Sequence, residues 1–312
     1  MPVLRRTFGI GPSPPPQAEG TIELADGRCL GYAEYGEAEG PLVLWFHGTP
    51  GARRQVPLIG RDAARDLGLR IVCLERPGVG DSTEHIYERL SDWAADVAVA
   101  SKQLGHERFM VVGLSGGGPY ALACAHKLPS RVVGVGLLGS VTPATGDDTA
   151  AQGPVHLTVP FHDLLKLIRR PLGIGLWGFV QIIAPLAHPL VLGCTRIMPQ
   201  GDRLVLLDPD YEAMFVDDLI NGAKRQFQAV VNDAVLLGRP WGFSLSEVAA
   251  PVRWWHGDAD PFVPLEEARR AAALLPDVEL MVRHGESHLG GFAAADEVLT
   301  VLSDIWHETV SC

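Results

Sequence analysis

The sequence predicts an α/β fold with a doubly wound, mostly parallel sheet that an inserted helical segment interrupts. Short, continuously apolar runs such as PLVLWF (residues 41–46) are typical of strands buried on both faces of a parallel sheet. Each run is followed by a loop rich in glycine or proline and then by a stretch with helical periodicity. This alternation stops near Ser140 and resumes near Trp241, which indicates that about 100 residues are inserted between two parts of one sheet.

The predicted elements follow one another in a regular order. Residues 1–20 form a proline-rich, extended N-terminal arm, and two β-prone runs around Asp26-Gly27 predict a hairpin. The first part of the core, residues 21–140, then contains strands at 41–46, 71–74, 108–114 and 131–140 and helices at 55–68, 91–105 and 116–129. The second part, residues 241–312, contains strands at 251–257 and 278–285, a helix at 265–275 and a C-terminal helix from about Phe292 to His307.

The inserted segment, residues 141–240, is predicted to be helical and is rich in apolar residues. Within it, residues 172–194 are apolar over a length that would let a helix cross a bilayer. Gln181, two prolines and four glycines interrupt this stretch, and a span there would separate the two parts of the sheet, so we expect no stable membrane span. We interpret the segment as a lid over an apolar pocket that takes acyl, aromatic or lipid-like substrates, with Trp177 and Phe179 as candidate substrate contacts.

Composition excludes several classes of protein. Lys and Arg number 26 against 37 Asp and Glu, which gives a net charge of −11 and argues against nucleic acid as a partner, because phosphate binding needs a positive face. The five cysteines show no metal-ligand spacing, so we expect reduced thiols packed as small hydrophobic residues and no metal site. No apolar run of signal-peptide length follows Arg5 and Arg6, and we therefore expect a cytoplasmic protein.

The strongest motif is Gly113-Leu114-Ser115-Gly116-Gly117, which matches the pattern G-x-S-x-G. An apolar strand leads directly into it and a helix leads directly out, as in a nucleophile elbow. Small residues on both sides let the backbone adopt the sharp turn that exposes the Ser115 hydroxyl. The alternative is that Ser115 only caps the following helix.

A serine hydroxyl is a weak nucleophile at neutral pH, so a base and an orienting acid are expected downstream. The strand at 251–257 is followed by two aspartates, Asp258 and Asp260, and the strand at 278–285 is followed by Glu286-Ser287-His288. The carboxyl ends of neighbouring parallel strands meet at one edge of the sheet, where such folds place their sites. These residues are therefore expected near Ser115.

These motifs resemble those of the α/β-hydrolase superfamily, and in particular its lid-bearing serine hydrolases of the esterase/lipase-like branch. The resemblance extends from about Thr21 to the last helix and rests on HGTPG (47–51), ERPGVGDS (75–82), GLSGG (113–117), HGDADPFVP (256–264) and GESH (285–288). It implies that the acid is Asp260, with Asp258 as the alternative, and that the base is His288, whereas His284 is structural.

The resemblance also implies an oxyanion hole made by the backbone N–H groups of Thr49 and Gly116. It gives the side chain of His47 a structural role in the same loop. Arg76 in the ERPG motif is expected to brace a loop, with substrate binding as the alternative.

We predict a hydrolase that cleaves carboxylic esters of small to medium apolar or aromatic substrates, without a cofactor. Ser115 attacks the carbonyl, His288 acts as general base and then acid, and Asp260 orients His288. A serine in this position excludes the carboxylate nucleophile of epoxide hydrolases and dehalogenases.

Three alternatives remain: an aminopeptidase of the proline iminopeptidase type, a carbon–carbon bond hydrolase or perhydrolase, and a non-catalytic binding protein on the same scaffold. The aminopeptidase would need carboxylates for a free amine, and Glu212, Asp217 and Asp218 are candidates.

Overall fold

The computed structural model describes residues 13–153 and 156–310, and in this part of the chain eight strands form one sheet. The strands are β1 (Ala18–Glu23), β2 (Cys29–Gly36), β3 (Leu42–Phe46), β4 (Arg70–Leu74), β5 (Phe109–Leu114), β6 (Val132–Leu138), β7 (Val252–Gly257) and β8 (Val278–Arg283). Their order in the sheet is β1-β2-β4-β3-β5-β6-β7-β8. β2 is antiparallel to both of its neighbours, and β3 to β8 are parallel. This topology confirms the predicted doubly wound sheet.

The first hairpin begins earlier than predicted. β1 starts at Ala18 because residues 18–20 already pair with residues 32–34 of β2. The hairpin turns at Asp26-Gly27 as expected, with Gly27 at a φ of 81° that favours glycine. Most of the predicted arm, residues 1–12, lies outside the described residues.

Eleven α-helices are present in the described residues: α1 (Leu58–Asp66), α2 (Trp93–Gln103), α3 (Gly118–Lys127), α4 (His162–Ile183), α5 (Ala187–Cys194), α6 (Gln200–Leu207), α7 (Pro209–Gly222), α8 (Ala229–Leu237), α9 (Leu265–Ala272), α10 (Gly290–Ala293) and α11 (Ala295–Val310). Buried side chains of α2, α3 and α9 pack on one face of the sheet. Those of α1 and α11 pack on the other face. Because helices cover both faces, the central parallel strands β3, β5 and β6 are apolar throughout, as their sequences indicate.

The α4–α8 segment, residues 156–237, lies between β6 and β7. Helical structure therefore begins later than the predicted residue 141, and residues 141–153 form turns and loops. Backbone amides at the end of this stretch bind a side chain instead of a helical carbonyl. Those of Gln152 and Gly153 donate hydrogen bonds to the Glu267 carboxylate of α9. At Gly173, α4 has no side chain, and this lets the Gln228 side chain pack against the helix, since a Cβ there would lie 1.9 Å from Gln228 Oε1.

One stretch in the described residues, Asp163–Leu186, is long and apolar enough by length and composition to cross a membrane. Only 11% of the most apolar 18 residues of this stretch is buried inside the protein. Much of the apolar surface of α4 therefore faces away from the rest of the molecule.

Candidate active site

Ser115 lies at the turn between β5 and α3. It has a φ of 49°, the only positive φ of a non-glycine residue in the described part of the chain. A side chain at this φ costs backbone energy, and such strain is typical of functional turns. Two glycines of the motif permit the tight packing of the turn, since a Cβ on Gly113 would lie 2.5 Å from Gly118 Cα, and one on Gly117 2.2 Å from Phe46 O.

The structure brings Ser115, His288 and Asp260 together in one hydrogen-bonded chain. Ser115 Oγ is 2.8 Å from His288 Nε2, and His288 Nδ1 is 2.7 Å from Asp260 Oδ2. Asp260 follows β7 and His288 follows β8, so all three side chains lie at the carboxyl ends of parallel strands. In this arrangement the imidazole donates a hydrogen bond to Asp260 and accepts one from the Ser115 hydroxyl.

The Asp260 carboxylate is held rigidly. Its Oδ1 accepts hydrogen bonds from the amides of Phe262 (2.8 Å) and Val263 (2.9 Å), which leaves Oδ2 for His288. Burial by itself would raise the pKa of Asp260, but the hydrogen bond and charge of His288 outweigh it and lower the pKa below the usual value. Asp260 is therefore an ionised acceptor at neutral pH, as an orienting acid must be.

The alternative acid, Asp258, faces a different partner. Its Oδ2 is 2.8 Å from His284 Nδ1, and its Oδ1 accepts the amide of Gly285 at 2.8 Å. The His284 side chain is 87% exposed, so this pair stands at the surface. Asp258 and His284 hold the turn after β8, and the hydrogen bonds to His288 go to Asp260.

The amides of Thr49 and Gly116 lie beside Ser115. A Cβ built on Gly116 would be 3.5 Å from Thr49 N and 2.6 Å from Thr49 Oγ1, so the two backbones approach closely and glycine is needed there. Within the described residues neither amide donates to another protein group. Two unengaged N–H groups this close to a serine hydroxyl are candidate donors for the oxygen of a tetrahedral intermediate.

A buried ion pair supports the loop of His47, Gly48 and Thr49, which we call the oxyanion loop after its proposed role. The Arg76 guanidinium binds the Asp233 carboxylate at 2.7 Å and also donates to the carbonyls of His47 (2.6 Å) and Gly48 (2.8 Å). Asp233 Oδ2 in turn accepts a hydrogen bond from the Thr49 hydroxyl at 2.5 Å. Arg76 is 2% exposed, which places it behind the loop and matches the expected brace.

His47 completes the support of the loop. Burial, assisted by the charge of Arg76, lowers the pKa of His47 well below its usual value, so the ring is neutral. Its Nε2 accepts the amide of Arg76 at 3.2 Å, and Nδ1–H therefore donates to the carbonyl of Gly48 at 2.8 Å. The side chain thus has a structural contact, as the sequence predicts.

Comparison with known proteins shows similarity to hydrolases over most of the chain. A family model for the alpha/beta hydrolase fold matches residues 41–168. The chain is 24% identical to the bifunctional esterase/perhydrolase of Acinetobacter calcoaceticus over 86% of its own length and 92% of that protein. It superposes on the esterase EaEST of Exiguobacterium antarcticum with a TM-score of 0.65 at 17% identity, covering 92% of this chain and 99% of that one. The chain has the alpha/beta hydrolase fold.

A third relative matches over a shorter stretch. The chain is 29% identical to a proline iminopeptidase of Arabidopsis thaliana over 127 residues, which are 40% of this chain and 33% of that protein. The resemblance of this hydrolase to the esterase/perhydrolase therefore extends over far more of both chains.

Two residues of the hydrolase that hold the site were not identified from the sequence: Asp202 of α6 and Asp233 of α8. Asp202 is fully buried and accepts the Ser287 hydroxyl at 2.9 Å and the Leu289 amide at 2.6 Å, the two neighbours of His288. A signal for Asp233 was available, since an aspartate within the apolar run AVVNDAVLL must find a partner when it is buried. For Asp202 the sequence offers no comparable signal.

The predicted substrate contacts lie on α4. Trp177 is 36% exposed and lines a cavity of about 250 Å³ together with Gly173, Ile174, Arg225, Gln226, Phe227 and Gln228. Phe179 is 58% exposed. The lining of this cavity includes neither Ser115 nor His288, and a role of Trp177 or Phe179 in substrate binding stays a prediction. No group of three or more potential metal ligands occurs among the residues that the structure describes.

A buried carboxylate near the oxyanion loop makes the stability of the hydrolase depend on pH. Glu75 follows β4, and its Oε2 accepts Arg53 Nη1 at 3.0 Å and the Asp81 amide at 2.8 Å. Within the described residues its Oε1 has no hydrogen-bond partner. Burial raises the pKa of Glu75 to about 7, so the folded protein retains a proton that the unfolded chain releases at lower pH.

We expect Glu75 to contribute a fall in the free energy of unfolding as the pH rises from about 5 to 8, because the folded protein keeps a proton on this carboxyl that the unfolded chain has already released. The variant Glu75→Gln should reduce this fall by roughly 1–3 kcal/mol, and urea unfolding at both pH values measures it. Asp218, whose pKa burial also raises to about 7, accounts for a remaining slope. The exposed Glu39→Gln is the matched control, and identical slopes in wild type and Glu75→Gln would contradict the prediction.

Proposed function

We propose that this protein hydrolyses carboxylic esters of small to medium apolar or aromatic substrates through an acyl-enzyme on Ser115. The observation that carries the proposal is the chain of hydrogen bonds from Ser115 through His288 to Asp260, next to two unengaged backbone amides. These are the parts that acyl transfer needs: a nucleophile, a base, a group that orients the base, and donors for the oxyanion.

The proposed reaction proceeds in two halves. His288 Nε2 accepts the proton of Ser115 as its oxygen adds to the ester carbonyl, and the Thr49 and Gly116 amides stabilise the oxyanion. The protonated His288 then gives its proton to the leaving alkoxide, which departs as an alcohol. Water, deprotonated by the same imidazole, cleaves the acyl-enzyme and releases the acid. Ionised Asp260 stabilises the imidazolium in both halves.

The acidic residues of α7 favour an ester over a peptide with a free amine. Asp218 Oδ2 and Oδ1 accept the amides of Ala52 and Arg54, both at 2.9 Å, and the Asp217 carboxylate pairs with the Arg54 side chain at 3.0 Å. These two carboxylates are engaged in holding the loop after β3. They are therefore poor candidates for binding a substrate ammonium group.

We further propose that the α4–α8 segment acts as a lid that completes the site. Asp202 anchors the loop of His288, and Asp233 anchors the loop of Thr49, so the segment is joined to both sides of Ser115. The apolar character of its helices suits an acyl or aromatic group.

The first experiment compares ester and amide substrates. We expect turnover of p-nitrophenyl acetate, butyrate and octanoate, no turnover of proline or alanine p-nitroanilide, and labelling of the folded protein by a fluorophosphonate at Ser115. The variant Asp217→Asn should keep kcat/KM for the esters within about twofold of wild type. Removal of a carboxylate that binds the substrate ammonium group of an aminopeptidase would lower kcat/KM far more. Hydrolysis of only the nitroanilides would favour the iminopeptidase function, and a folded protein that neither labels nor turns over any substrate would favour a binding protein.

Perhydrolysis is a second candidate, which the similarity to a bifunctional esterase/perhydrolase over most of both chains supports. In this reaction hydrogen peroxide replaces water in the second half and leaves with the acyl group as a peracid. Oxidation of a halide reporter in the presence of acetate and hydrogen peroxide, lost in Ser115→Ala, would establish it.

A further inference from the structure

The outward face of α4 carries an unusual amount of exposed apolar surface. Leu167, Ile174 and Ile182 are exposed to 81%, 62% and 76%, and with Leu164 they recur at helical spacing along one side. A helix of this length extends for about 33 Å. Of the 17 large hydrophobic residues exposed in the described chain, nine lie between residues 164 and 201. Scattered apolar residues are normal, whereas a continuous stripe indicates an interaction surface.

The charge of the same region is opposite to that of the whole protein. Residues 164–201 contain no Asp or Glu, in a chain where these residues number 37 of 312, and contain four basic residues: Lys166, Arg169, Arg170 and Arg196. Lys166, Arg170 and Arg196 are exposed. Arg170 lies 3.9 Å from Glu84, a loose contact that leaves its side chain 72% exposed. The apolar stripe is thus bordered by cations on a protein of net charge −11.

The opposite face of α4 is already used for folding. Val180 and Leu176 pack in a cluster with Phe227 and Ala229, and the Gln181 side chain donates to the Ala223 carbonyl at 2.7 Å. A helix that crossed a bilayer would have to break these contacts, since its whole circumference would face lipid. The geometry therefore favours a helix that lies on a surface.

We propose that this α4 face, defined by Leu164, Leu167, Ile174 and Ile182 with Lys166 and Arg170, docks on the surface of an anionic lipid bilayer. Apolar side chains enter the boundary between headgroups and acyl chains, and the flanking cations pair with lipid phosphates. The inference goes beyond the proposed function and does not depend on it.

Vesicle co-sedimentation of the full chain tests the proposal. We expect binding to vesicles of phosphatidylcholine mixed with phosphatidylglycerol, weaker binding to phosphatidylcholine alone, and loss of binding at high salt. Leu167→Glu combined with Ile182→Glu should lower the affinity at least about tenfold. Lys166→Gln combined with Arg170→Gln should lower it by roughly fivefold for each cation and flatten the salt dependence.

The exposed Leu274→Glu, which lies just after α9, is the matched control and should bind like wild type. Far-UV circular dichroism and thermal unfolding report that each variant is folded. Equal binding of wild type and Leu167→Glu/Ile182→Glu, or equal binding to both kinds of vesicle, would overturn the proposal. So would a wild-type dimer in solution that these substitutions convert to a monomer, since a second copy of the chain would then cover the face. Retention in the membrane after an alkaline wash would indicate a span instead of surface docking.

Discussion

Ester hydrolysis is expected to fall by at least about 10⁴-fold when Ser115 is replaced by alanine, and fluorophosphonate labelling is expected to disappear. The hydroxyl removed is the one that lies 2.8 Å from His288 Nε2 and next to the Thr49 and Gly116 amides. The remaining site can still bind substrate, so the loss should appear in kcat. Steady-state kinetics with p-nitrophenyl butyrate and stoichiometric labelling measure the two effects.

The backbone at Ser115 provides a second readout that activity alone does not give. Ser115→Ala keeps the Cβ and hence the strain of the positive φ, so its stability should match wild type within about 1 kcal/mol. Ser115→Gly removes the strain and should raise the free energy of unfolding by roughly 1–2 kcal/mol while it is equally inactive. Ser101→Ala, a buried serine in α2, controls for the loss of a hydroxyl. Activity retained in folded Ser115→Ala would contradict the proposed function.

The sheet could be predicted from the sequence because its central strands are buried on both faces. Such strands must be apolar throughout, and β3 (LVLWF) and β6 (VVGVGLL) show this directly. The candidate site residues share a second regularity, since Ser115, Asp260 and His288 each follow a strand closely in sequence. Strand order in a doubly wound sheet then brings them to one edge.

The contacts between the α4–α8 segment and the site could not be predicted in the same way. Asp233 is 184 residues from Thr49, and Asp202 is 85 residues from Ser287, so no local pattern links them. They meet only because the segment folds back over the edge of the sheet. The spacing of apolar residues in the α4 sequence likewise could not indicate which side of the helix is exposed, because both sides are apolar.

Substitution of Asp233 by asparagine is expected to lower the free energy of unfolding by about 3–5 kcal/mol. The change leaves the Arg76 guanidinium, which is 2% exposed, without its charge partner. It also places an amide NH₂ group where Arg76, Thr49 and Tyr120 all donate hydrogen bonds to carboxylate oxygens. Urea unfolding measures the loss of stability.

The same substitution should reduce kcat for ester hydrolysis by roughly 10- to 100-fold at temperatures where the variant is folded, with a smaller effect on KM. The reason is geometric, because the Arg76–Asp233 pair holds the loop that carries the Thr49 amide. Thr49→Val is the matched variant: it removes the hydroxyl that binds Asp233 at 2.5 Å but keeps both the ion pair and the Thr49 amide. It should cost only about 1 kcal/mol of stability and still lower kcat. A wild-type kcat in both folded variants, Asp233→Asn and Thr49→Val, would mean that the ion pair stabilises the fold without positioning the oxyanion loop. The α4–α8 segment would then have no part in catalysis through Asp233.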